Sequence, residues 1–323
     1  ELLRECCRCD SVAGGTPVRL GLDPEIDGPE ESYRMEFSEK GILLTGKSPH
    51  GVHNAVQSLL AILANKELPM TLPAASVADY PDLEYRGLHF DVARNFTPKE
   101  DIFRLIDLLS LYKMNILHLH LTDDEGWRLE VPGLEELTEV GARRGHTLTE
   151  SDRLYPLYGS GWNPDADTPG SGYYSCKDFG EILRYAARHH IRVIPEIDIP
   201  GHSRAAIKAM NARYARYIAT DPDRAREYLL ADSCDASVYR SAQDYTDNVM
   251  NIAMPSAYRF VRKVLSELRR MYEAAGVELS VVHIGGDEVP RGAWSDSPIC
   301  REFMARTGGA PPPAGNLNFG GGL

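Results

Sequence analysis

Two adjacent carboxylic acids, Asp287 and Glu288, follow two glycines in the segment HIGGDE (283–288). Adjacent side chains on a strand point to opposite faces, so these acids share a pocket only if the backbone bends between them. Gly285 and Gly286 make such a bend easy. Paired carboxylates suit glycoside hydrolysis, in which one acid protonates the leaving oxygen and another negative group stabilises developing positive charge. The hexapeptide alone is also compatible with a turn that carries two solvated acids.

A second candidate site lies in the segment HLHLTDD (118–124). His118 and His120 lie on one face of a predicted strand, as a pair of metal ligands would, and Asp123 and Asp124 follow at once. This pattern supports a rival interpretation as a barrel metallohydrolase. For a lone pair of strand histidines, packed and hydrogen-bonded core residues are the favoured alternative.

Two further polar residues follow predicted strands. In PEIDIPGHS (195–203), a turn leaves His202 at the rim of the strand, where an imidazole could hydrogen-bond a catalytic carboxylate. Arg94 could bind sugar hydroxyls through its several donors, or it could pair with Asp91. The residues alone leave both choices for Arg94 open.

Repeated strand-and-helix units position these candidates. Arg94 follows the first predicted strand, Asp123 the second, His202 the third and Glu288 the fourth. Nearly continuous apolar strands are typical of a parallel sheet covered on both faces, and in a (β/α)8 barrel the active-site groups converge at the carboxyl ends. The predicted strands are 87–93, 115–121, 191–199 and 279–286, and the predicted helices are 97–113, one from Ser175, and 255–275.

A loop of about fifty residues separates the second strand from the next helix and is rich in Gly, Pro, Trp and Tyr, which is typical of a substrate-binding excursion.

The first part of the chain has a different pattern. Alternating Tyr33, Met35 and Phe37, a turn and then 42–44 predict a hairpin. An apolar stripe along 52–63 predicts a helix that packs on it. Pro73 and Pro81 bracket a predicted linker.

Composition narrows the function classes. The chain has 323 residues, 43% of them hydrophobic and 25% charged, with a formal net charge of -12 and with both signs interspersed. We therefore expect a soluble globular protein without a nucleic-acid partner. No apolar run approaches the roughly 20 residues that span a bilayer, and the first residues lack the apolar core of a signal peptide. The six cysteines do not form a zinc-ligand pattern, and they leave disulfides open.

The end of the chain has no strand or helix pattern. Only about 35 residues follow Glu288, and GGAPPPAGNLNFGGGL (308–323) is typical of a linker. We therefore expect only about the first four β/α units of a (β/α)8 TIM barrel, and either a C-terminally truncated chain or self-association through open sheet edges. The predicted domains are a small α+β domain at 1–80, a partial barrel at 81–306 and a tail at 307–323.

Taken together, DVAR (91–94), KMNILHLHLTDDEGWRLEV (113–131), PEIDIPGHS (195–203) and HIGGDE (283–288) resemble the family 20 glycoside hydrolases, in the same order. The segments ESYRMEF, GILLTG and GVHNAVQSLL resemble the small N-terminal domain of that family.

The resemblance implies retaining exo-hydrolysis of terminal β-linked N-acetylglucosamine or N-acetylgalactosamine, with the substrate's acetamido oxygen as nucleophile and an oxazolinium intermediate. It implies Glu288 as the proton donor, Asp287 as the acetamido-orienting acid, His202 and Asp123 as a relay behind Glu288, and Arg94 as the sugar-binding residue. Strand alternation does not choose between Asp123 and Asp124, so that choice follows from the family pattern. No metal or other cofactor is expected.

The resemblance also implies partners and a location. The expected partners are N-acetylhexosamine-terminated glycans or chitooligosaccharides. Likeness to enzymes of Bacteroidetes in DNVMNIAMPS and GGDEVPRGAW implies a periplasmic or exported parent. The family's later strands supply a tyrosine, tryptophans and an acid to the pocket, and no residues here match them. The alternative is therefore an inactive or weakly active sugar-binding fragment.

Overall fold

The computed structural model describes residues 15–64, 72–163 and 168–308. The described chain divides into two compact units. The first extends to Leu88 and includes Phe103–Ile116 and Tyr185–Arg192; the second contains His89–Ile102, Leu117–Arg184 and the residues from Val193 onward. The predicted domain boundaries at 80 and 306 stay predictions. Cys6, Cys7, Cys9 and residues 309–323 of the predicted tail lie outside the described residues.

A four-stranded sheet and a helix form the core of the first unit. The sheet order is β1 (Val18–Leu22), β3 (Gly41–Gly46), β2 (Tyr33–Ser38) and β4 (Ala75–Asp79). Strand β1 is parallel to β3, and β2 is antiparallel to both β3 and β4. Side chains of β2 alternate between buried and exposed, as the sequence predicted. The elements are β1 (Val18–Leu22), β2 (Tyr33–Ser38), β3 (Gly41–Gly46), helix α1 (Pro49–Ala64) and β4 (Ala75–Asp79).

The predicted hairpin and helix of this unit are confirmed. A glycine is required where the hairpin turns, because Gly41 has φ of 120° and a Cβ there would lie 2.4 Å from the Pro17 carbonyl oxygen. Helix α1 packs its apolar stripe on the buried face of the sheet. The buried cluster is Tyr33, Met35, Phe37, Leu44, Ala55, Val56, Leu59 and Leu60.

The predicted linker between Pro73 and Pro81 is wrong, because strand β4 lies there and pairs with β2. Strand β1 was not predicted either. Both strands are mostly exposed, so neither has the apolar alternation that reveals a half-buried strand.

A parallel sheet carries the residues of interest. Its order is β5–β6–β9, formed by Gly87–Asp91, Ile116–His120 and Arg192–Glu196. Backbone hydrogen bonds from Asn115 N to Arg86 O and from Val92 N to His120 O advance in the same direction along both strands. The carboxyl ends of these strands therefore meet at one edge of the sheet.

The fourth predicted strand, 279–286, is wrong as a regular strand. Only His283 forms a bridge, which is parallel and pairs with Glu196. The segment still follows β9, because Ile197 N donates to His283 O and Ile199 N donates to Ile284 O, at 3.0 and 3.1 Å. Two glycines with positive φ turn the backbone directly after these bonds, which ends the pairing.

Helices follow the strands. The predicted helix at 255–275 is confirmed and ends at Gly276 in a left-handed conformation, and the predicted helix after Ser175 begins at Cys176. Four helices were not predicted: α3 (Glu136–Glu139), α5 (Arg204–Tyr217), α6 (Pro222–Arg226) and α8 (Pro298–Thr307). The helices are α2 (Lys99–Leu111), α3 (Glu136–Glu139), α4 (Cys176–Arg188), α5 (Arg204–Tyr217), α6 (Pro222–Arg226), α7 (Pro255–Ala275) and α8 (Pro298–Thr307). None of them is long and apolar enough to cross a membrane.

The predicted excursion after β6 is held by a buried arginine. It begins with a two-residue hairpin, β7 (Thr122–Asp123) and β8 (Gly126–Trp127). The fully buried Arg128 guanidinium donates hydrogen bonds to four backbone carbonyls, and burial lowers its pKa to about 9. These carbonyls belong to Ala93, Ala142, Gly170 and Gly172. One side chain therefore ties the excursion to the segment that follows β5.

We expect Leu59→Ala to lower the free energy of unfolding by about 2–5 kcal/mol, because Leu59 is fully buried between α1 and the sheet. The matched change Leu20→Ala, at a side chain that is 56% exposed, should cost far less. Denaturant titration of both variants measures the difference. Equal losses would contradict the assignment of this core.

Candidate active site

All five predicted site residues lie in the second unit, after the ends of neighbouring strands. Arg94 follows β5, Asp123 lies in β7, His202 precedes α5, and Asp287 and Glu288 follow the His283 bridge. The structure joins Arg94, Asp123, His202 and Glu288 through direct contacts, with Asp287 close by.

His202 connects the exposed acid to a buried one. Its Nε2 lies 3.5 Å from Glu288 Oε2, and its Nδ1 lies 3.1 Å from Asp123 Oδ1, with a hydrogen bond on the Asp123 side. The Asp123 side chain is fully buried, whereas that of Glu288 is 46% exposed. Glu288 is therefore accessible to a substrate, while His202 is held in place by its contact with the buried Asp123.

The structure places Asp123 closer to His202 than Asp124, the alternative that strand alternation left open. Asp124 Oδ2 lies 3.5 Å from His202 Nδ1, farther than Asp123. Asp124 instead accepts hydrogen bonds from the Arg204 backbone N–H and from Asn248 Nδ2. It therefore orients the start of α5, whereas Asp123 is the hydrogen-bond partner of His202.

The network stabilises opposite charges on His202 and Asp123. Burial lowers the pKa of His202, but Asp123 and Asp124 outweigh it and raise that pKa to about 11. Burial raises the pKa of Asp123, but hydrogen bonds from His120 and His202 outweigh it and lower that pKa to about 2. A carboxylate and an imidazolium therefore persist here across neutral pH.

A strained turn presents the two acids. Gly285 and Gly286 have φ of 61° and 99°, and Glu288 has φ of 49°. This is the backbone bend that the sequence required for Asp287 and Glu288 to share a site. Asp198 Oδ1 accepts a hydrogen bond from Gly286 N at 3.1 Å, and a Cβ at Gly285 would lie 1.8 Å from the same oxygen. Only glycine therefore fits at 285.

Asp287 is exposed and lies beside two buried groups. One oxygen each of Asp287 and Asp198, together with a ring nitrogen of His202, lie within 4.8 Å of one another. Burial raises the pKa of Asp198 to about 8, opposed by the Gly286 N–H and by His202.

Arg94 contacts more than the Asp91 that the sequence suggested. Its guanidinium lies 2.9 Å from Asp91 Oδ2, 2.9 Å from Asp123 Oδ2 and 3.3 Å from Glu125 Oε2. The side chain remains 26% exposed. Arg94 therefore holds Asp123 and still reaches solvent.

His118 and His120 both lie against a buried carboxylate. Their nitrogens are 2.7 and 3.1 Å from Glu196 Oε2. Histidine nitrogens and carboxylate oxygens are also metal ligands. One such atom from each of His118, Glu196 and His283 lies within 4.8 Å of the other two, so these three residues could hold a metal ion. The structure thus explains both histidines as partners of Glu196.

Sequence reasoning missed Glu125, Asp198 and Glu196. Tyr245 Oη donates to Glu125 at 3.2 Å, and burial, reinforced by Asp123 and Asp124, raises the pKa of Glu125 to about 7. The alternation of Glu196 and Asp198 in PEIDIPGHS was a usable signal, because acids two apart at the end of a strand point to the same face.

Comparisons with known proteins match most of the chain to one family. The model described as glycosyl hydrolase family 20, catalytic domain, matches residues 83–312, and that of domain 2 of the same family matches 10–80. The chain is 43% identical to a β-hexosaminidase of Vibrio vulnificus over 90% of its length, and 46% identical to an N,N'-diacetylchitobiase of Vibrio harveyi over 86%. These matches cover 34% and 32% of the two relatives, so the chain spans about a third of their length.

A solved structure extends the likeness to the fold. The exo-β-N-acetylglucosaminidase of Vibrio harveyi in complex with N-acetylglucosamine matches with a TM-score of 0.79 and 35% identity, over 96% of this chain and 44% of that chain. The predicted fold class, a TIM-barrel type catalytic domain preceded by a small α+β domain, is confirmed.

We expect the contribution of Asp123 to the free energy of unfolding to depend on pH. Because its pKa in the folded chain is lowered to about 2, its contribution is present above about pH 4 and is lost as the pH falls towards 2. The difference in unfolding free energy between the wild type and Asp123→Asn should shrink by about 2 kcal/mol over that range. The exposed Asp82→Asn serves as control, and a pH-independent difference at Asp123 would contradict the charge assignment.

Proposed function

Because the chain belongs to glycosyl hydrolase family 20, we propose that it acts as a retaining exo-β-N-acetylhexosaminidase on terminal β-linked N-acetylglucosamine or N-acetylgalactosamine. The observation that carries the proposal is the contact series from Glu288 through His202 to Asp123. It supplies an exposed acid with a buried charged partner, which is what a group that must give and regain a proton requires.

In the first step, the Glu288 carboxyl group protonates the glycosidic oxygen as the bond from that oxygen to the anomeric carbon breaks. The acetamido oxygen of the substrate forms a bond to the same carbon, which gives an oxazolinium ion. This intermediate is not covalently bound to the protein. In the second step, Glu288 takes a proton from water as the water oxygen attacks the anomeric carbon. The bond from that carbon to the acetamido oxygen breaks, which opens the oxazolinium ring. Two displacements at one carbon leave the β configuration unchanged.

Neighbouring residues prepare these steps. Asp287 accepts a hydrogen bond from the acetamido N–H, which aims its carbonyl oxygen at the anomeric carbon and stabilises positive charge on the oxazolinium. His202, held by Asp123, lies behind Glu288 and responds to its charge. Arg94 binds outer hydroxyls of the sugar with the part of its guanidinium that stays exposed.

The proposal extends to partners and location. The substrates are N-acetylhexosamine-terminated glycans or chitooligosaccharides, in keeping with relatives named β-hexosaminidase and N,N'-diacetylchitobiase. Self-association through open sheet edges, a Bacteroidetes-like origin and a periplasmic or exported location are further parts of the proposal. Sequence patterns alone support them.

We expect Glu288→Gln to lower kcat/KM on N,N'-diacetylchitobiose by about 10²–10⁴-fold, because the amide cannot protonate the leaving oxygen. The loss should be much smaller on an aryl glycoside, whose leaving group needs little protonation. Hydrolysis by the wild type should persist in EDTA, and the exposed Glu278→Gln should behave as wild type. Equal losses on both substrates would contradict the acid role of Glu288, and activity that EDTA removes would favour the metallohydrolase.

We expect Asp287→Asn to lower kcat/KM by at least about 10-fold, since a charge-assisted hydrogen bond contributes about 1.5–3 kcal/mol. The preference for N-acetylated over non-acetylated aryl glycosides should weaken with it. The exposed Asp296→Asn is the matched control. An unchanged preference for the acetamido group would contradict the role of Asp287.

A further inference from the structure

The contact series does not end at Asp123. His120 Nε2 forms a hydrogen bond with Asp123 Oδ2 at 2.6 Å, and His120 Nδ1 lies 3.1 Å from Glu196 Oε2. The side chains of His120 and Glu196 are 5% and 6% exposed. A buried imidazole is therefore enclosed between two buried carboxylates, one at the end of β9 and one in the relay.

Glu196 is fixed from several directions. Histidine nitrogens from three chain segments lie close to its two oxygens: His118 at 2.7 Å, His283 at 3.0 Å and His89 at 3.3 Å. Each comes from a different strand or bridge of the parallel sheet. The position of the Glu196 carboxylate is thus determined by the sheet itself.

His120 is also faced by groups outside this line. Arg94 Nη1 lies 3.4 Å from His120 Nε2, and the His89 ring lies 5.6 Å from the His120 ring. An Asp198 oxygen lies within 4.8 Å of ligand atoms of His120 and Asp123. Of all the acids around His120 in the described part of the chain, Asp123 and Glu196 lie closest to its ring, at 2.6 and 3.1 Å.

We propose that Glu196 is a positioning residue for the hydrolytic reaction: it holds the His120 ring against Asp123, and so fixes the carboxylate that orients His202 behind Glu288. The inference rests on the proposed function, and it adds two residues, Glu196 and His120, to the relay behind Glu288. In this role Glu196 and His120 act through Asp123 rather than on the substrate directly.

The charges support this role. Burial lowers the pKa of His120, but Asp123 and then Glu196 outweigh it and raise that pKa to about 10. Burial raises the pKa of Glu196, whereas the close approach of His118 and His120 and the charges of the surrounding histidines hold it far below its usual range. Because the pKa of His120 is raised, its cationic form is present through neutral pH and is lost as the pH rises through about 10. Without the Glu196 charge, that loss moves to lower pH.

Glu196→Gln tests the role with little change of shape. We expect kcat to fall about 10-fold or more with KM nearly unchanged, because the relay is misplaced while the sugar contacts remain. The loss of kcat relative to the wild type should also grow as the pH rises, because His120 of the variant gives up its proton at a lower pH than His120 of the wild type. Glu136→Gln, at a buried carboxylate paired with Arg213 and Arg216, is the matched control. A loss of kcat that is the same at every pH would overturn the proposal, because a structural role alone predicts that result.

A second measurement separates this inference from the proposed function. Imidazole NMR follows the His120 titration in the whole chain and needs no turnover. In Glu196→Gln the His120 pKa should fall by at least about one unit, and an unchanged titration would overturn the inference even in an active protein. A lowered titration in a chain without hydrolysis would support the Glu196 contact and reject the proposed activity. Should Glu196→Gln not fold, Glu196→Asp keeps the charge but shortens its reach, and the same downward shift is expected.

Discussion

A buried carboxylate with three basic partners holds the candidate site together. Asp123 is fully buried and lies against His120, His202 and Arg94. His120 ends β6, Arg94 follows β5 and His202 follows β9. Burial of an unpaired charge would cost several kcal/mol, so Asp123 is tolerated only while these partners stay in place. The carboxyl ends of β5, β6 and β9 must therefore remain adjacent for the site to exist. This constraint links the parallel sheet to the chemistry.

The turn at 285–288 depends on a close approach to Asp198 rather than on regular strand pairing. After one parallel bridge at His283, the backbone enters left-handed conformations that pass directly over the Asp198 carboxylate. Glu288 itself has a positive φ, a conformation that costs of order 1–3 kcal/mol for a residue with a side chain. Hydrogen bonds to the β9 segment and to Asp198 offset that cost. The same turn exposes Glu288 while keeping it near His202.

The sequence predicted which residues lie at the strand ends, but it did not predict the buried acids Glu125, Asp198 and Glu196 that connect them. Arg94, Asp123 or Asp124, His202 and Glu288 were predicted to lie together because each follows an apolar run, and the structure places them in contact. The choice of Asp123 came from the family pattern, and the order of four motifs implied a family that the comparisons confirm. The segment 279–286 was misassigned because its apolar residues match a strand, although the glycines end the pairing. Glu196 was missed since periodicity gives the face of a side chain, whereas its histidine neighbours depend on strand order in three dimensions.

The most direct test compares two substrates that differ only in the acetamido group. We expect the wild-type chain to release p-nitrophenol from the N-acetyl-β-glucosaminide at least about 10²-fold faster, by kcat/KM, than from the β-glucoside, since only the former carries its own nucleophile. Comparable rates on both would show that the acetamido oxygen does not take part. Release from neither would contradict the claim that this chain carries a working hexosaminidase site.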